Sequence, residues 1–262
     1  MVNSCSANAK LAGMIQSNSL NIDALRANLA QGGLNLCKSF SITEIADSVP
    51  EFEFPGSCTH LILIGCTGPD LWSAMPADYF DRPHPVDEYS IDCVRESVGS
   101  LLDEDKWLIL FPSADSRVAP QVPLQKLGSL AGWHHPSPLG IGINDKHGLW
   151  FAYRSVVLVD AEVIESDAEL DQIGIASEWP CLNCETTACL SHCPAEALTL
   201  GSDPNLDACV SHRLADDSSC ASTCLARLAC PVGSGFRYSD RQTAYFYNRS
   251  LVSVMRWVNK EN

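Results

Sequence analysis

Eight cysteines crowd between Cys181 and Cys230, in two runs that each close on Cys-Pro. The first is Cys181-x2-Cys184-x4-Cys189-x3-Cys193-Pro194, and the second is Cys209-x10-Cys220-x3-Cys224-x5-Cys230-Pro231. In a short secreted chain this density would mean a disulfide scaffold. Met1 to Lys10, however, shows no basic stretch followed by an apolar run, and in a reducing compartment clustered thiols read as metal ligands. Cys5, Cys37, Cys58, Cys66 and Cys93 are scattered singly and read as small packed or surface thiols.

Two runs ending in Cys-Pro match the logic of two-cluster ferredoxins. There, three close cysteines grip one cube and the cysteine before proline reaches across to the other. Carried over, Cys181, Cys184 and Cys189 with Cys230 hold one 4Fe-4S cluster, and Cys209, Cys220 and Cys224 with Cys193 hold the second. The competing reading is a pair of zinc sites, although zinc ribbons usually show two short cysteine pairs. The x4 spacing before Cys189 and the gaps around Cys224 depart from the bacterial run. Spacing therefore defines the presence of clusters better than it defines individual ligands.

At 262 residues and 46% hydrophobic, the chain has room for one substantial core and a smaller satellite. No apolar run approaches the roughly 18–20 residues that span a bilayer, so the expectation is a cytoplasmic chain with no membrane partner. Formal net charge is −15, from 17 basic against 32 acidic residues. Such a field repels phosphate backbones, so no nucleic-acid partner is expected; a basic external electron donor or a small molecule fits.

Periodicity sketches the remainder. The first 50 residues read as a weakly patterned helical lead-in, with Leu11, Met14, Ile15, Ile22, Leu25 and Leu29 as its apolar positions. His60 to Gly65 and Trp107 to Phe111 read as buried strands. Ile91, Val94, Val98, Leu101 and Leu102 mark an amphipathic helix, and Pro120 to Trp133 another. Gly140–Asn144 and Leu149–Asp160 read as strands around a turn, and the acids from Asp160 to Asp171 as a solvated connector. Ser239-Asp-Arg-Gln242 has capping-box form and opens a helix striped by Ala244, Tyr247, Leu251, Val254, Met255 and Val258.

With those residues in view, the sequence resembles epoxyqueuosine reductase, a cobalamin enzyme with a two-cluster ferredoxin module and an outlying cysteine like Cys209. It also resembles the cobalamin-processing, decyanating chaperone. Pro85-Val-Asp87 with Val94-Arg-Glu-Ser97, the segment Trp150 to Leu158, and Arg237 to Phe246 carry that second likeness. The two likenesses imply an α+β fold: a nitroreductase-like α/β sandwich with an inserted ferredoxin-like module. Domains of 1–175 with 237–262 and of 176–236 follow, with the C-terminal helix returning to the first.

The resemblance also points to pocket residues. Arg154 stands in an apolar strand, where it pairs with an acid or faces a pocket that wants an anion. Arg237 lies beside the Ser239 cap. Asp115 precedes Gly132-Trp133 at nearly the spacing of the reductase's catalytic acid, and Trp133 and His134 suit the face of a macrocycle. The expected function is an iron–sulfur oxidoreductase that binds a corrinoid and passes electrons from two clusters to the cobalt or to a small-molecule substrate. The alternatives are a ferredoxin-like carrier or cobalamin chaperone without its own catalysis, and a flavin-dependent reductase by fold analogy.

Overall fold

A computed structural model describes residues 19–258, apart from 51, 53, 55, 56, 113–121 and 167–177. The chain separates into two units: 1–131 with 151–173, and 132–150 with 174–262. The helix after Ser239 is thereby grouped with the cysteine runs, whereas the division expected from sequence groups it with the sheet.

The first unit is mixed α and β. In chain order it comprises β1 (Ser19–Asn21), α1 (Ile22–Gln31), β2 (Leu36–Ser41), α2 (Ile42–Ile45), β3 (His60–Thr67), α3 (Asp70–Ala74), α4 (Pro85–Gly99), β4 (Trp107–Phe111), α5 (Leu124–Leu130), β5 (Phe151–Val159) and β6 (Glu162–Ile164). Among the described residues the strands form two sheets. One is antiparallel with order β2-β3-β5-β4, and the other is the parallel pair β1-β6.

The continuous apolar run of β3 explains its central place. Leu61, Ile62, Leu63 and Ile64 are all fully buried and face Leu158, Val157, Val156 and Ser155 of β5. A strand apolar on both faces must be covered on both. α1 buries Ile22, Leu25 and Leu29 at helical spacing. α4 starts at Pro85, suited to a first helical position, and buries Val86, Tyr89, Cys93, Val94 and Val98. A Cβ on Gly32 would meet the Cys93 sulfur at 2.7 Å, which shows how closely the end of α1 approaches α4.

Three sequence expectations are corrected here. Residues 36–41 lie in the stretch read as a helical lead-in but form β2, because pairing with β3 supplies backbone partners that helical propensity alone does not outweigh; Leu11, Met14 and Ile15 lie outside the described residues. β4 is not a buried strand: among the described residues it is an edge paired with β5 alone, and Leu108 is 51% exposed. The acidic run is more than a connector, since β6 pairs with β1. Beyond it the Asp23 carboxylate accepts from the amide and hydroxyl of Ser166 (3.0 and 2.6 Å), and Arg26 pairs with Glu165 at 2.7 Å. These two hydrogen bonds from Ser166 hold the Asp23 carboxyl below its ordinary range.

The second unit carries α6 (Ala188–Ser191), α7 (Leu206–Leu214), α8 (Leu225–Ala229) and α9 (Asp240–Val258). Asn205 caps α7 through the Ala208 amide (3.0 Å), and Ser239 caps α9 through the Gln242 amide (3.2 Å). Residues 140–144, read as a strand, contribute only isolated bridges: His135 with Ile143 and Asn144 with Gly148. Among the described residues, no helix is long and apolar enough to cross a membrane.

Leu63→Ala removes a fully buried side chain from the central strand and is expected to cost about 2–5 kcal/mol in urea unfolding. Leu108→Ala, on the exposed face of the edge strand, is expected to change stability by about 0.5 kcal/mol or less.

Candidate metal centres

In the second unit, Cys181, Cys184, Cys189 and Cys230 line one cavity of about 30 Å³. Its remaining wall is carbon-rich, from Pro138, Leu139, Ile143, Leu149 and Val232. The Ser137 hydroxyl at its rim donates to the Ile141 carbonyl at 2.6 Å. The donor set is thus four sulfurs in an apolar surround, ligand chemistry that suits zinc or an iron–sulfur cluster.

A backbone contact brings that wall to the thiols. Asn144 turns the chain by accepting from the amides of Lys146 and His147, both at 2.9 Å. Gly148 then lies against the Val232 carbonyl, and Gly233 against His147, so that neither position has room for a Cβ. Their φ values are +60° and +67°, the left-handed region that favours glycine. Ile143 and Leu149 flank this turn and pack on Cys230.

The electrostatics divide the eight thiols into two sets. Burial first, then the negative charge that Cys230, Cys189 and Cys184 would carry, pushes the Cys181 thiol up to about 11. Burial also raises Cys189, with Cys230 and Cys184 as its charged neighbours. Cys209 is raised by burial and then by Cys224, with smaller contributions from Cys193 and Cys220, while Arg213 works in the opposite direction. Cys224 is raised by burial and by Cys220. Cys181, Cys189, Cys209 and Cys224 would resist ionisation without a cation to replace their protons. Among the described residues, no group of three His, Cys, Asp or Glu side chains is arranged around a single metal-ion position.

The pocket candidates are dispersed. Arg154 sits on β5 of the first unit, where β3 pairs Ile64 with Ser155 and Gly65 with Tyr153 and skips it. It is therefore the extra residue of a β-bulge, a device that re-aims a side chain. Its Nε donates to the Cys66 sulfur at 3.4 Å. The sequence places it inside an apolar strand; the bulge puts it at the half-buried end, just before the buried stretch Ser155–Val159.

Arg237 belongs to the second unit and donates from Nη2 to the Cys230 carbonyl at 3.1 Å, beside the first thiol set. Trp133 and His134 are buried in the second unit, with the Trp133 carbonyl accepting from Asn144 at 3.0 Å. Neither lines the thiol cavity. Asp115 lies outside the described residues.

Sequence reading missed Arg213, Arg227 and Tyr247. Arg213 donates to the Cys220 carbonyl at 3.3 Å, and Arg227 stacks over Trp150 at 4.4 Å. The available signal was compositional: between residues 174 and 240 the basic side chains are three arginines and no lysine.

No protein-family model matches the sequence, and no curated protein matches it. Among solved structures, similarity extends to an epoxyqueuosine reductase crystallised with an epoxyqueuosine-modified tRNA-Tyr stem loop. It is 13% identical with a TM-score of 0.48, over 85% of this chain and 68% of that one. A selenomethionine-labelled epoxyqueuosine reductase matches at 13% identity and a TM-score of 0.47 over the same shares. The C. elegans B12-trafficking protein CblC, a human MMACHC homologue, matches at 16% identity and a TM-score of 0.44, over 90% of this chain and 94% of that one. These are the two families that the sequence fragments resemble.

The stem loop in the first of these structures overturns one expectation, that a net charge of −15 excludes a nucleic-acid partner. Net charge sums over the whole surface, whereas a nucleic acid meets one face of it. The exclusion is withdrawn.

Gly148→Ala is expected to destabilise the protein by about 1–3 kcal/mol through backbone strain alone, and by more once the Val232 carbonyl is displaced. A lowered Tm checks this. Gly201→Ala, where φ is +77° but open space surrounds the Cβ position, should show the strain without the added clash.

Proposed function

We propose that the chain is an iron–sulfur oxidoreductase whose second unit, a ferredoxin-like module, holds two 4Fe-4S clusters. One sits on Cys181, Cys184, Cys189 and Cys230, the other on Cys193, Cys209, Cys220 and Cys224. The α+β unit, as a nitroreductase-like sandwich, binds a corrinoid or a small molecule beside it and receives the electrons. The observation that carries this reading is the cavity lined by Cys181, Cys184, Cys189 and Cys230. Its fourth cysteine comes from the other run, as in the exchange that two-cluster ferredoxins make.

The clusters supply one-electron reduction; the protein's own residues set the conditions for it. Leu139, Ile143 and Leu149 keep water from the inner side of the first set. Arg154, aimed by its bulge, offers a cation to an anionic group in the first unit. The corrinoid part of the reading is supported by the three chaperone-like sequence fragments.

Anaerobically purified protein is expected to contain about eight iron and eight labile sulfide per chain. Cys230→Ser should lower that content, whereas Cys58→Ser, outside both runs, should not. Stoichiometric zinc without sulfide overturns the cluster reading. Cobalamin mixed with the reduced protein should change its visible spectrum to that of a lower cobalt state, and Arg154→Ala should weaken that binding with iron content intact. An unchanged spectrum would leave an electron carrier in place of a corrinoid enzyme.

A further inference from the structure

The cavity of the first thiol set and an open groove of about 550 Å³ share a wall, since Ser137, Pro138 and Cys181 line both. Of the eight clustered cysteines, Cys181 alone is among the described residues that line the groove. The rest of the lining comes from Pro136, Trp179, Leu182 and the loop 200–203.

Local structure holds the large apolar side chains outward. The Trp179 Nε1 donates to the Pro136 carbonyl at 2.8 Å and the ring stacks on His135 at 5.8 Å, so the indole is fixed while 37% of the residue stays exposed. The Asn205 amide donates to the Ala197 carbonyl at 2.8 Å and closes the loop that carries Leu200, which is 58% exposed. Leu182, between Cys181 and Cys184, is 69% exposed. A single exposed leucine is ordinary. Two of them with a tryptophan around one groove mark a contact surface.

The charge around it has one sign. Between residues 174 and 240 there are eight aspartates and glutamates, all exposed, against three arginines and no lysine. The arginines donate to backbone carbonyls: Arg213 to Cys220, Arg227 to Leu149 and Arg237 to Cys230. Among the described residues lining the groove, Asp203 is the one charged side chain. No cation is there to receive the phosphates of a free nicotinamide or flavin coenzyme.

We infer that this groove is the docking site of a protein electron donor, a one-electron carrier whose apolar contact face is ringed by lysine or arginine. The inference rests on the two-cluster reading above and names the partner that reading requires. The docked carrier loses one electron and the cluster on Cys181, Cys184, Cys189 and Cys230 gains it; no bond forms or breaks. The acidic surround steers a basic face toward the groove, and the apolar side chains expel water between that face and Cys181. Electron-transfer encounters bury little surface, less than about 1,200 Å² in all, and a fixed tryptophan between two leucines is an anchor on that scale.

The test uses the full chain, anaerobically reconstituted, with cytochrome c as the probe, a basic one-electron carrier protein. Iron and sulfide are measured on every variant. Binding is read by calorimetry on the oxidised protein. Transfer is read as the rate at which the dithionite-reduced, desalted protein reduces ferricytochrome c, the electron then running outward through the same contact. Wild-type affinity is expected to fall as salt rises. Leu182→Ser and Asp203→Lys should each weaken binding and slow transfer by about fivefold or more with iron and sulfide intact, and Trp179→Ala should do so by more. Leu108→Ser and Glu104→Lys, the matched changes at exposed residues of the first unit, should leave both readings as in the wild type. The inference is overturned if these controls lose as much as the groove variants, or if Leu182→Ser and Asp203→Lys keep wild-type binding and rate. It is also overturned if NADH or reduced FMN alone reduces the clusters as fast as a carrier protein does, or if the wild type sediments as a dimer that Leu182→Ser dissociates, which would put a second copy in the groove. Wild-type protein without iron and sulfide overturns the two-cluster reading itself, and the inference with it.

Discussion

The backbones of Gly148 and Val232 meet with no space for a side chain between them, and the first thiol set depends on that contact. It fixes the loop 144–148 against the chain that follows Cys230-Pro231. The same contact carries Ile143 and Leu149 onto the Cys230 sulfur. Four cysteines alone would make a solvent-filled site. The turn at Asn144, with two amide hydrogen bonds to its side chain, supplies the wall that makes it an apolar one.

Burial raises Cys181, Cys189, Cys209, Cys224 and Cys230, and neighbouring thiolates raise them further, so these thiols stay protonated unless something positive replaces the protons. Arg213 and Arg237 bring positive charge to the Cys220 and Cys230 carbonyls (3.3 and 3.1 Å), whereas Arg227 donates to the Leu149 carbonyl. Arg227 also shows how a cation is kept in a partly buried position: its guanidinium lies on two aromatic faces, Trp150 and Tyr238, which attract positive charge.

In the first unit the governing constraint is the burial of β3 on both faces. Once Leu61 to Ile64 must be covered, β2 and β5 flank the strand and helices close the layer. The irregularities in this arrangement fall at Arg154, between β3 and β5, and at Leu110, between β4 and β5. The first bulge releases Arg154 from the pairing of β3 and β5, and the neighbouring Ser155 hydroxyl donates to the Phe111 carbonyl of β4 at 2.8 Å.

The sequence alone determined the strands at 60–65 and 107–111, the helix around Val94 and the cap at Ser239, because periodicity and capping are local properties of a few neighbouring residues. It also determined that eight cysteines form two runs that each close on Cys-Pro. It did not place residues 36–41 in a sheet, because their strand exists only by pairing with β3, and it did not find the edge position of β4 for the same reason. The roles of Arg213, Arg227 and Tyr247 were equally hidden. Arg213 and Tyr247 are separated by 33 intervening residues, and only the docking of α9 beside α7 joins them. Contacts across such intervals leave no periodic trace in the chain; the tertiary structure decided them because burial and charge act through space.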